Sequence, residues 1–317
     1  MFNFNVFQVS TMSGTSVKAK SAENESFLSN CIDCVVQKVV NSSYYKMRTP
    51  VKVLCLWSGI LVISGIKVFF EIPPSFFSHK RNFLNIYFVK WSWLWTLVLM
   101  GPYMIATSFV YGCTMWKRTV LCAVARLAIG TLVWYTWVNV VFHFVENLTG
   151  VCLDANGLPK LAVVQKKDCL LLKSGHIWDA IDISGHAFLL TYCVLFCKSE
   201  LDIQTNWKYI PTHAASHLPI GSKALSSVKG KYKLTLPAVQ FLFLSNVVLG
   251  FLWEVMLVTT CIYFHSFYSK AFGAACGIIS WMMTYNEWYK HKLSPGQPGE
   301  GPLGGILLAK KKNFKSQ

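Results

Sequence analysis

The sequence predicts an all-α membrane protein, a six-helix transmembrane bundle with both termini in the cytosol. Of its 317 residues, 53% are hydrophobic and only 14% are charged, whereas soluble globular proteins carry about 25% charged residues. Six apolar segments reach, or nearly reach, the roughly 17–25 residues that a helix needs to cross a bilayer. This composition excludes a disordered chain, a collagen-like chain and a small disulfide-rich scaffold.

The predicted spans follow one another along most of the chain. They are residues 53–70, 93–111, 119–142, 183–197, 239–263 and 271–285. The fourth and sixth are short, so either could re-enter the membrane or lie buried in the bundle. Gly273 and Gly277 favour a true sixth span, because small residues four positions apart let a neighbouring helix pack closely. An aromatic collar is expected at its end, formed by Trp281, Tyr285, Trp288 and Tyr289.

Basic residues predict the orientation of these spans. If the N-terminus is cytosolic, the cytosolic segments carry 20 Lys and Arg residues and the opposite side carries 8, which agrees with the positive-inside rule. The net charge of +16 is then explained by contact with anionic lipid, and no nucleic-acid partner is expected. The loop 143–182 is lumenal in this topology. It contains the glycosylation sequon at Asn147 and two cysteines, Cys152 and Cys169, that could pair there.

Three regions are expected along the chain. Residues 1–50 form a polar cytosolic region, residues 51–290 form the six-span domain, and residues 291–317 form a flexible basic tail. The tail begins with a Pro/Gly-rich run and ends in lysines at 310–312, which would lie on an anionic leaflet.

Several polar residues lie at the predicted lumenal ends of the spans, where burying a polar group is energetically unfavourable. Asp182, Ser184 and His186 precede or begin the fourth span, and His265 follows the fifth. The topology rests on positive charge alone, yet it brings these residues to one side of the membrane at one depth. We therefore predict a functional site there.

Three further polar residues share one helical face at the lumenal end of the third span. Asn139, His143 and Glu146 have the spacing i, i+4, i+7. A lone histidine at an interface is also often an amphipathic anchor, and that reading applies to His143.

Ionisable residues inside the predicted spans are candidates for a functional role, because charged groups are unfavourable in the hydrocarbon core. Glu254 lies midway through the fifth span, eleven residues before His265, and therefore roughly 16 Å below it. It could line a cavity or pair with Arg126 of the third span. Lys67 lies near the end of the first span, where its side chain can reach the interface.

Three stretches resemble signatures of the fat storage-inducing transmembrane protein family. They are residues 85–96 (NIYFVKWSWLWT), residues 182–190 (DISGHAFLL) and residues 263–265 (YFH). Their order and spacing match from about residue 50 to residue 290. The resemblance implies an endoplasmic reticulum membrane protein that promotes lipid-droplet formation. It also implies cleavage of the pyrophosphate in fatty acyl-CoA, giving acyl-4′-phosphopantetheine and adenosine 3′,5′-bisphosphate.

The family resembles lipid phosphate phosphatases, and this likeness implies roles for individual residues. His186 would be the general acid and His265 the nucleophile, with no metal and no cofactor. The acyl chain would lie between helices in the membrane lipid. The lumenal candidates for binding phosphate are Lys80, Arg81, Lys90 and Lys270.

The residue that orients the nucleophile is left open by the resemblance. The phosphatases carry an Asp four residues after their nucleophile, but Ser269 occupies that position here. Asp182 or Glu146 could take the role instead.

Two alternatives stay open at this point. One is a non-enzymatic scaffold that holds neutral lipid and depends on Glu254 or Asn246. The other is a metal-dependent lumenal hydrolase that uses His143, Glu146, His186 and His265 as ligands. The sequence predicts no oligomeric state, although the small-residue face of the sixth span could form a dimer.

Overall fold

The computed structural model describes residues 27, 29–159, 165–172 and 175–303. The chain forms two compact units, residues 1–46 and residues 47–317. In its described part, the first unit contains helix α1 (29–41) and helix α2 (Ser43–Lys46). Most of the predicted N-terminal region and the lysines at 310–312 lie outside the described residues.

The second unit consists mainly of helices. In chain order they are α3 (Thr49–Phe69), α4 (Ser92–Tyr111), α5 (Trp116–Tyr135), α6 (Phe142–Thr149), α7 (Lys166–Leu171), α8 (Gly185–Leu201), α9 (Gln204–Trp207), α10 (Ile210–His217), α11 (Lys223–Tyr263) and α12 (Phe267–Trp281). Short 3-10 and π-helical turns join or extend them at Phe76–Ser78, Asn85–Val89, Cys113–Met115, Thr136–Val141, Met282–Glu287 and Trp288–Lys290.

Four helical segments in the described part of the chain are long and apolar enough to cross a membrane. They are Thr49–Phe69, Ser92–Tyr111, Cys113–Thr149 and Lys223–Tyr263. They contain all or nearly all of the first, second, third and fifth predicted spans. The fourth and sixth segments form helices as well, but α8 has 17 residues and α12 has 15.

The short helix α8 lies at the centre of the helical packing. Every residue from Ala187 to Cys197 is buried, and α8 packs against α4, α11 and α12. A helix that is apolar all round is stable only where neighbours cover every face. This position explains why the fourth segment is short and has no amphipathic pattern.

Two glycines of α12 allow its close contact with α8. A Cβ atom on Gly273 would lie 2.3 Å from the carbonyl oxygen of Ser184, and one on Gly277 would lie 2.7 Å from that of Phe188. No larger residue fits at these distances, so the two backbones touch. The predicted close packing is confirmed. The neighbour is α8 of the same chain, so this face is not free to form a dimer.

The expected aromatic collar is wrong for three of its four members. Trp281, Tyr285 and Tyr289 are buried, and Trp288 is exposed. The Trp281 indole donates to the hydroxyl of Ser199 at 2.8 Å. Trp281 and Tyr285 fill the interior with their polar atoms hydrogen-bonded to Ser199 and Glu200 of α8.

Arg126 pairs with Glu200 and not with Glu254. The guanidinium donates to both carboxylate oxygens of Glu200, at 2.7 and 3.0 Å, and both side chains are 2% exposed. The hydroxyl of Tyr285 donates to the same carboxylate at 2.7 Å. Glu254 instead lies 2.5 Å from the ammonium group of Lys52 on α3.

A small disulfide-bonded loop adds the one sheet found among the described residues. Strand β1 (Val151–Leu153) pairs with strand β2 (Ile177–Asp179) in an antiparallel ribbon. A disulfide joins Cys152 to Cys169, which confirms the pairing that the sequence left open. The ribbon is a departure from the predicted all-α class, and it lies between the helical segments that carry the predicted third and fourth spans.

The beginning of the predicted C-terminal tail contacts the helices. Leu303 is buried, and its backbone N–H donates to the carbonyl oxygen of Tyr111 at the end of α4, at 3.3 Å. The Pro/Gly composition of this segment does not indicate such a contact.

Candidate active site

His265 lies in the break between α11 and α12. The side chain of Ser266 caps α12 by accepting the backbone N–H of Ser269 at 3.2 Å. The φ angle of His265 is +53°, in the left-handed region that residues other than glycine rarely adopt. Such strained residues persist only where surrounding contacts hold them, and they are concentrated at functional sites.

The carboxylate of Asp182 holds the ring of His265. Its Oδ2 atom lies 2.7 Å from Nδ1 of the imidazole. An ionised carboxylate can only accept a hydrogen bond, so Nδ1 carries the proton and Nε2 presents a lone pair. The Asp182 side chain is 69% exposed and that of His265 is 26% exposed. Water and a soluble phosphate group can therefore reach the pair.

Ser269 fixes the segment that carries Asp182. Its hydroxyl donates to the backbone carbonyl of Asp182, and its own carbonyl accepts the N–H of Ser184 at 3.1 Å. Residues 182–184 are thereby tied to the first turn of α12, next to His265. Ser269 occupies the position where the phosphatase resemblance predicts an Asp, and here it holds the acid in place.

His186 lies in the first turn of α8. Ser184 caps that helix, since its hydroxyl accepts the N–H of Ala187 at 3.2 Å. The half-buried imidazole of His186 lies within electrostatic range of both His265 and the ammonium group of Lys90. The structure therefore brings His186, His265, Asp182 and Ser184 together at the start of α8 and the end of α11.

The third predicted cluster forms separate contacts. Glu146 lies 2.5 Å from the ammonium group of Lys166 and 3.6 Å from Nδ1 of His143. The side chain of Asn139 donates to the carbonyl of Tyr135. Of the two carboxylates that the sequence left open as the orienting acid, Asp182 contacts His265 and Glu146 is bound to Lys166 instead.

The described residues contain no group of three His, Cys, Asp or Glu side chains placed to hold a metal ion. His143, Glu146, His186 and His265 are all among these residues. No three of them form such a group, so the described geometry does not bring the predicted metal-binding set together.

The predicted phosphate-binding cations divide into two groups. Lys80, Arg81 and Lys90 are exposed, and Lys90 is the one near His186. Lys270 departs from the prediction. Its side chain is fully buried, and its ammonium group donates to the carbonyl of Cys261 at 2.7 Å, because this face of α12 points into the bundle.

Lys67 is a cation at the site that the sequence did not place among the phosphate-binding candidates. Its ammonium group lies 3.4 Å from the backbone carbonyl of His265. Its position near the lumenal end of the first span could have indicated a phosphate-binding residue. The same position is, however, typical of a lysine whose side chain only extends to the membrane interface.

This fold and this site define a class of protein. It is a helical membrane protein whose paired histidines, orienting carboxylate and nearby lysines are suited to chemistry on a phosphate group. The chain belongs to the fat storage-inducing transmembrane protein family, whose sequence model matches residues 73–285. The resemblance seen in the sequence is thus confirmed.

Three relatives carry the name acyl-coenzyme A diphosphatase FITM2. The one from Xenopus tropicalis is 34% identical over 271 residues, covering 86% of this chain and 93% of its own. The one from Homo sapiens is 32% identical over 260 residues, covering 82% and 89%. The one from Danio rerio is 32% identical over 255 residues, covering 80% and 89%. No solved structure matches this chain.

Proposed function

We propose that this protein is a fatty acyl-CoA diphosphatase of the endoplasmic reticulum membrane that supports lipid-droplet formation and lipid homeostasis. It cleaves the pyrophosphate of acyl-CoA into acyl-4′-phosphopantetheine and adenosine 3′,5′-bisphosphate. The observation that carries this proposal is the contact of Asp182 with His265 beside His186. Relatives that cover most of the chain are named acyl-coenzyme A diphosphatases, which supports the same substrate class here.

The first step is attack by His265. The proton on Nδ1 is held by Asp182, so Nε2 attacks one of the two phosphorus atoms. The bond between that phosphorus and the bridging oxygen breaks. His186 donates a proton to the departing phosphate oxygen, and half of the substrate stays on His265 as a phosphoramidate.

Water completes the reaction. It attacks the phosphorus of the phosphoramidate, and His186, now neutral, accepts a proton from that water. The P–N bond breaks and His265 regains its lone pair. The overall change is the addition of one water molecule to one pyrophosphate bond. Asp182 keeps His265 in one tautomer during both steps.

Cations neutralise the charge that accumulates on the phosphate oxygens. Lys90 near His186 and Lys67 near the backbone of His265 are best placed for this. Lys80 and Arg81 are exposed and can contact the phosphates of the nucleotide. Lys270 is less suited to this role, because its side chain is buried and its ammonium group already donates to the carbonyl of Cys261.

The proposed topology has six crossing helices, with cytosolic termini and a lumenal site. The excess of basic residues in the segments that become cytosolic supports it. The disulfide between Cys152 and Cys169 supports it independently, because disulfides persist in oxidising compartments such as the lumen of the endoplasmic reticulum. The loop that carries this disulfide precedes α8, whose first turn holds His186.

The experiment is a turnover assay on purified protein with oleoyl-CoA, in which both products are measured by mass spectrometry. We expect His186→Ala and His265→Ala to abolish cleavage. His143→Ala is the matched control. His143 is an exposed histidine at the predicted lumenal end of the third span, and it lies outside the site. Undiminished turnover in both site variants, or an equal loss in the control, would refute the proposal.

A further inference from the structure

A groove runs between α3 and α11 on the membrane-embedded part of the protein. It encloses about 190 Å³. Most of its wall is aliphatic or thiol-bearing, and its members include Cys55, Leu56, Ile60, Ile63, Leu257 and Val258. Such a wall suits an unbranched hydrocarbon chain, which offers apolar surface and no hydrogen bonds.

One end of the groove lies just below the candidate active site. Ile63 and Cys261 line that end, and each lies four residues before a residue of the site, Lys67 and His265 respectively. Four residues are about one helical turn, or roughly 6 Å. The Lys67 ammonium and the His265 carbonyl contact each other above it.

The other end of the groove is polar. Met47, Lys52 and Glu254 line it, and the last two form an ion pair at 2.5 Å. Their side chains are 8% and 20% exposed, so the pair is largely withdrawn from solvent. The methyl end of an acyl chain is not stabilised by entering a buried ion pair. Displacing either partner would leave the other as an unpaired charge in an apolar environment, which is unfavourable.

We infer that this groove binds the fatty acyl chain of the substrate and that the Lys52–Glu254 ion pair sets the limit of its depth. The inference rests on the proposed function, because it requires an acyl-CoA substrate. The flexible pantetheine arm connects the thioester to the pyrophosphate. The acyl chain therefore does not have to begin at His265, and it can enter at the upper end of the groove.

The depth of the groove implies a preference for long chains. Ile63 and Lys52 are eleven residues apart on α3, which corresponds to roughly 16 Å along the helix. An extended hydrocarbon chain advances about 1.3 Å per carbon, given C–C bonds of about 1.5 Å. Cys261 and Glu254, which line the groove on α11, are seven residues apart, or roughly 10 Å. The groove therefore accommodates about 8 to 12 extended carbons, and shorter chains leave part of it empty.

Gly59 keeps the groove open at a middle depth. It lines the groove, and a Cβ atom added there would meet no atom within 4 Å. A leucine at this position would fill the space beneath about four or five carbons without a clash. Gly65 on the same helix also has nothing within 4 Å of an added Cβ and is not among the groove residues. It therefore provides a matched control.

The test compares Gly59→Leu with Gly65→Leu and the wild-type protein on stearoyl-CoA and on butyryl-CoA, whose four carbons end above residue 59. We expect Gly59→Leu to lower the ratio of kcat/KM for the long substrate to that for the short one by about tenfold or more. Gly65→Leu should leave the ratio unchanged. An unchanged ratio in Gly59→Leu, or an equal fall in Gly65→Leu, overturns the inference. If the wild-type protein cleaves neither substrate, the proposed function fails instead.

A second measurement does not depend on turnover or on the folding of a groove variant. In the His186→Ala protein, stearoyl-CoA should protect Cys55 from a lipid-permeable maleimide, as read by peptide mass spectrometry. Cys122 on α5 is a free cysteine outside the groove and should label at the same rate with and without the substrate. If stearoyl-CoA does not change the labelling of Cys55, the inference is overturned. A membrane lipid then remains as the occupant of the groove.

Discussion

Replacing Asp182 by asparagine tests how the site works, because it changes one atom type and almost no volume. The carboxylate accepts the proton on Nδ1 of His265 over 2.7 Å. An amide can instead donate its N–H to Nδ1, which forces the proton onto Nε2 and removes the nucleophilic lone pair. The backbone anchor through Ser269 is unaffected, so the fold should persist.

The size of the effect follows from the contact. A hydrogen bond to a charged group contributes about 1.5–3 kcal/mol, which corresponds to about a 10- to 150-fold loss of rate if it is lost in the transition state. The change of tautomer lowers the rate further. In serine proteases, replacing the aspartate that orients the catalytic histidine by asparagine lowers kcat by about 10⁴-fold. Because the Asp182 side chain is 69% exposed, solvent weakens the contact. We therefore expect a loss of about 100- to 1,000-fold.

The assay is kcat and KM on oleoyl-CoA, with Glu146→Gln as the control. Glu146 is a carboxylate bound to Lys166 and His143 and not to a site histidine. We expect Asp182→Asn to lower kcat with little change in KM, Asp182→Glu to recover part of the loss, and Glu146→Gln to behave as wild type. Full kcat in Asp182→Asn would refute the argument that this carboxylate positions the nucleophile.

Three further predictions follow from other contacts. Lys67→Met should raise KM for acyl-CoA by about tenfold while Lys67→Arg stays close to wild type, because a cation beside His265 binds phosphate; equal KM values would contradict this. Glu200→Ala should lower the free energy of unfolding by about 3–5 kcal/mol, because it leaves Arg126 buried and unpaired. The double variant Arg126→Met with Glu200→Leu should recover most of this lost stability, because neither charge then remains buried. Treatment with EDTA should leave turnover unchanged, and a loss of activity that added metal restores would count against the histidine mechanism.

Much of the fold could be predicted from elementary properties of the sequence. The six apolar segments coincide with α3, α4, α5, α8, α12 and the C-terminal part of α11, because crossing hydrocarbon imposes a length on a helix. Gly273 and Gly277 predict a close helix contact, which the structure contains. Cys152 and Cys169, which the sequence shows only as able to pair, form a disulfide. The distribution of basic residues alone predicts His186 and His265 at the same end of the bundle.

Other features depended on which face of a helix points inward, and hydropathy cannot decide this for helices that are apolar all round. Lys270 turned inward and Lys67 turned toward His265 for this reason. Ion pairs formed between residues far apart in sequence, such as Arg126 with Glu200, and single-residue patterns carry no signal for them. The sequence also leaves open whether Asp182 or Glu146 contacts His265, because that contact depends on how Ser269 anchors the segment that carries Asp182.

The most direct measurement of the central claim is the identity of the covalent intermediate. Purified protein is mixed with acyl-CoA, quenched rapidly under alkaline conditions that preserve phosphoramidates, and mapped by mass spectrometry. We predict half of the substrate attached to His265 in the wild-type protein and no adduct in His265→Ala. Active turnover with no adduct on His265, or with an adduct on a different residue, would contradict the account.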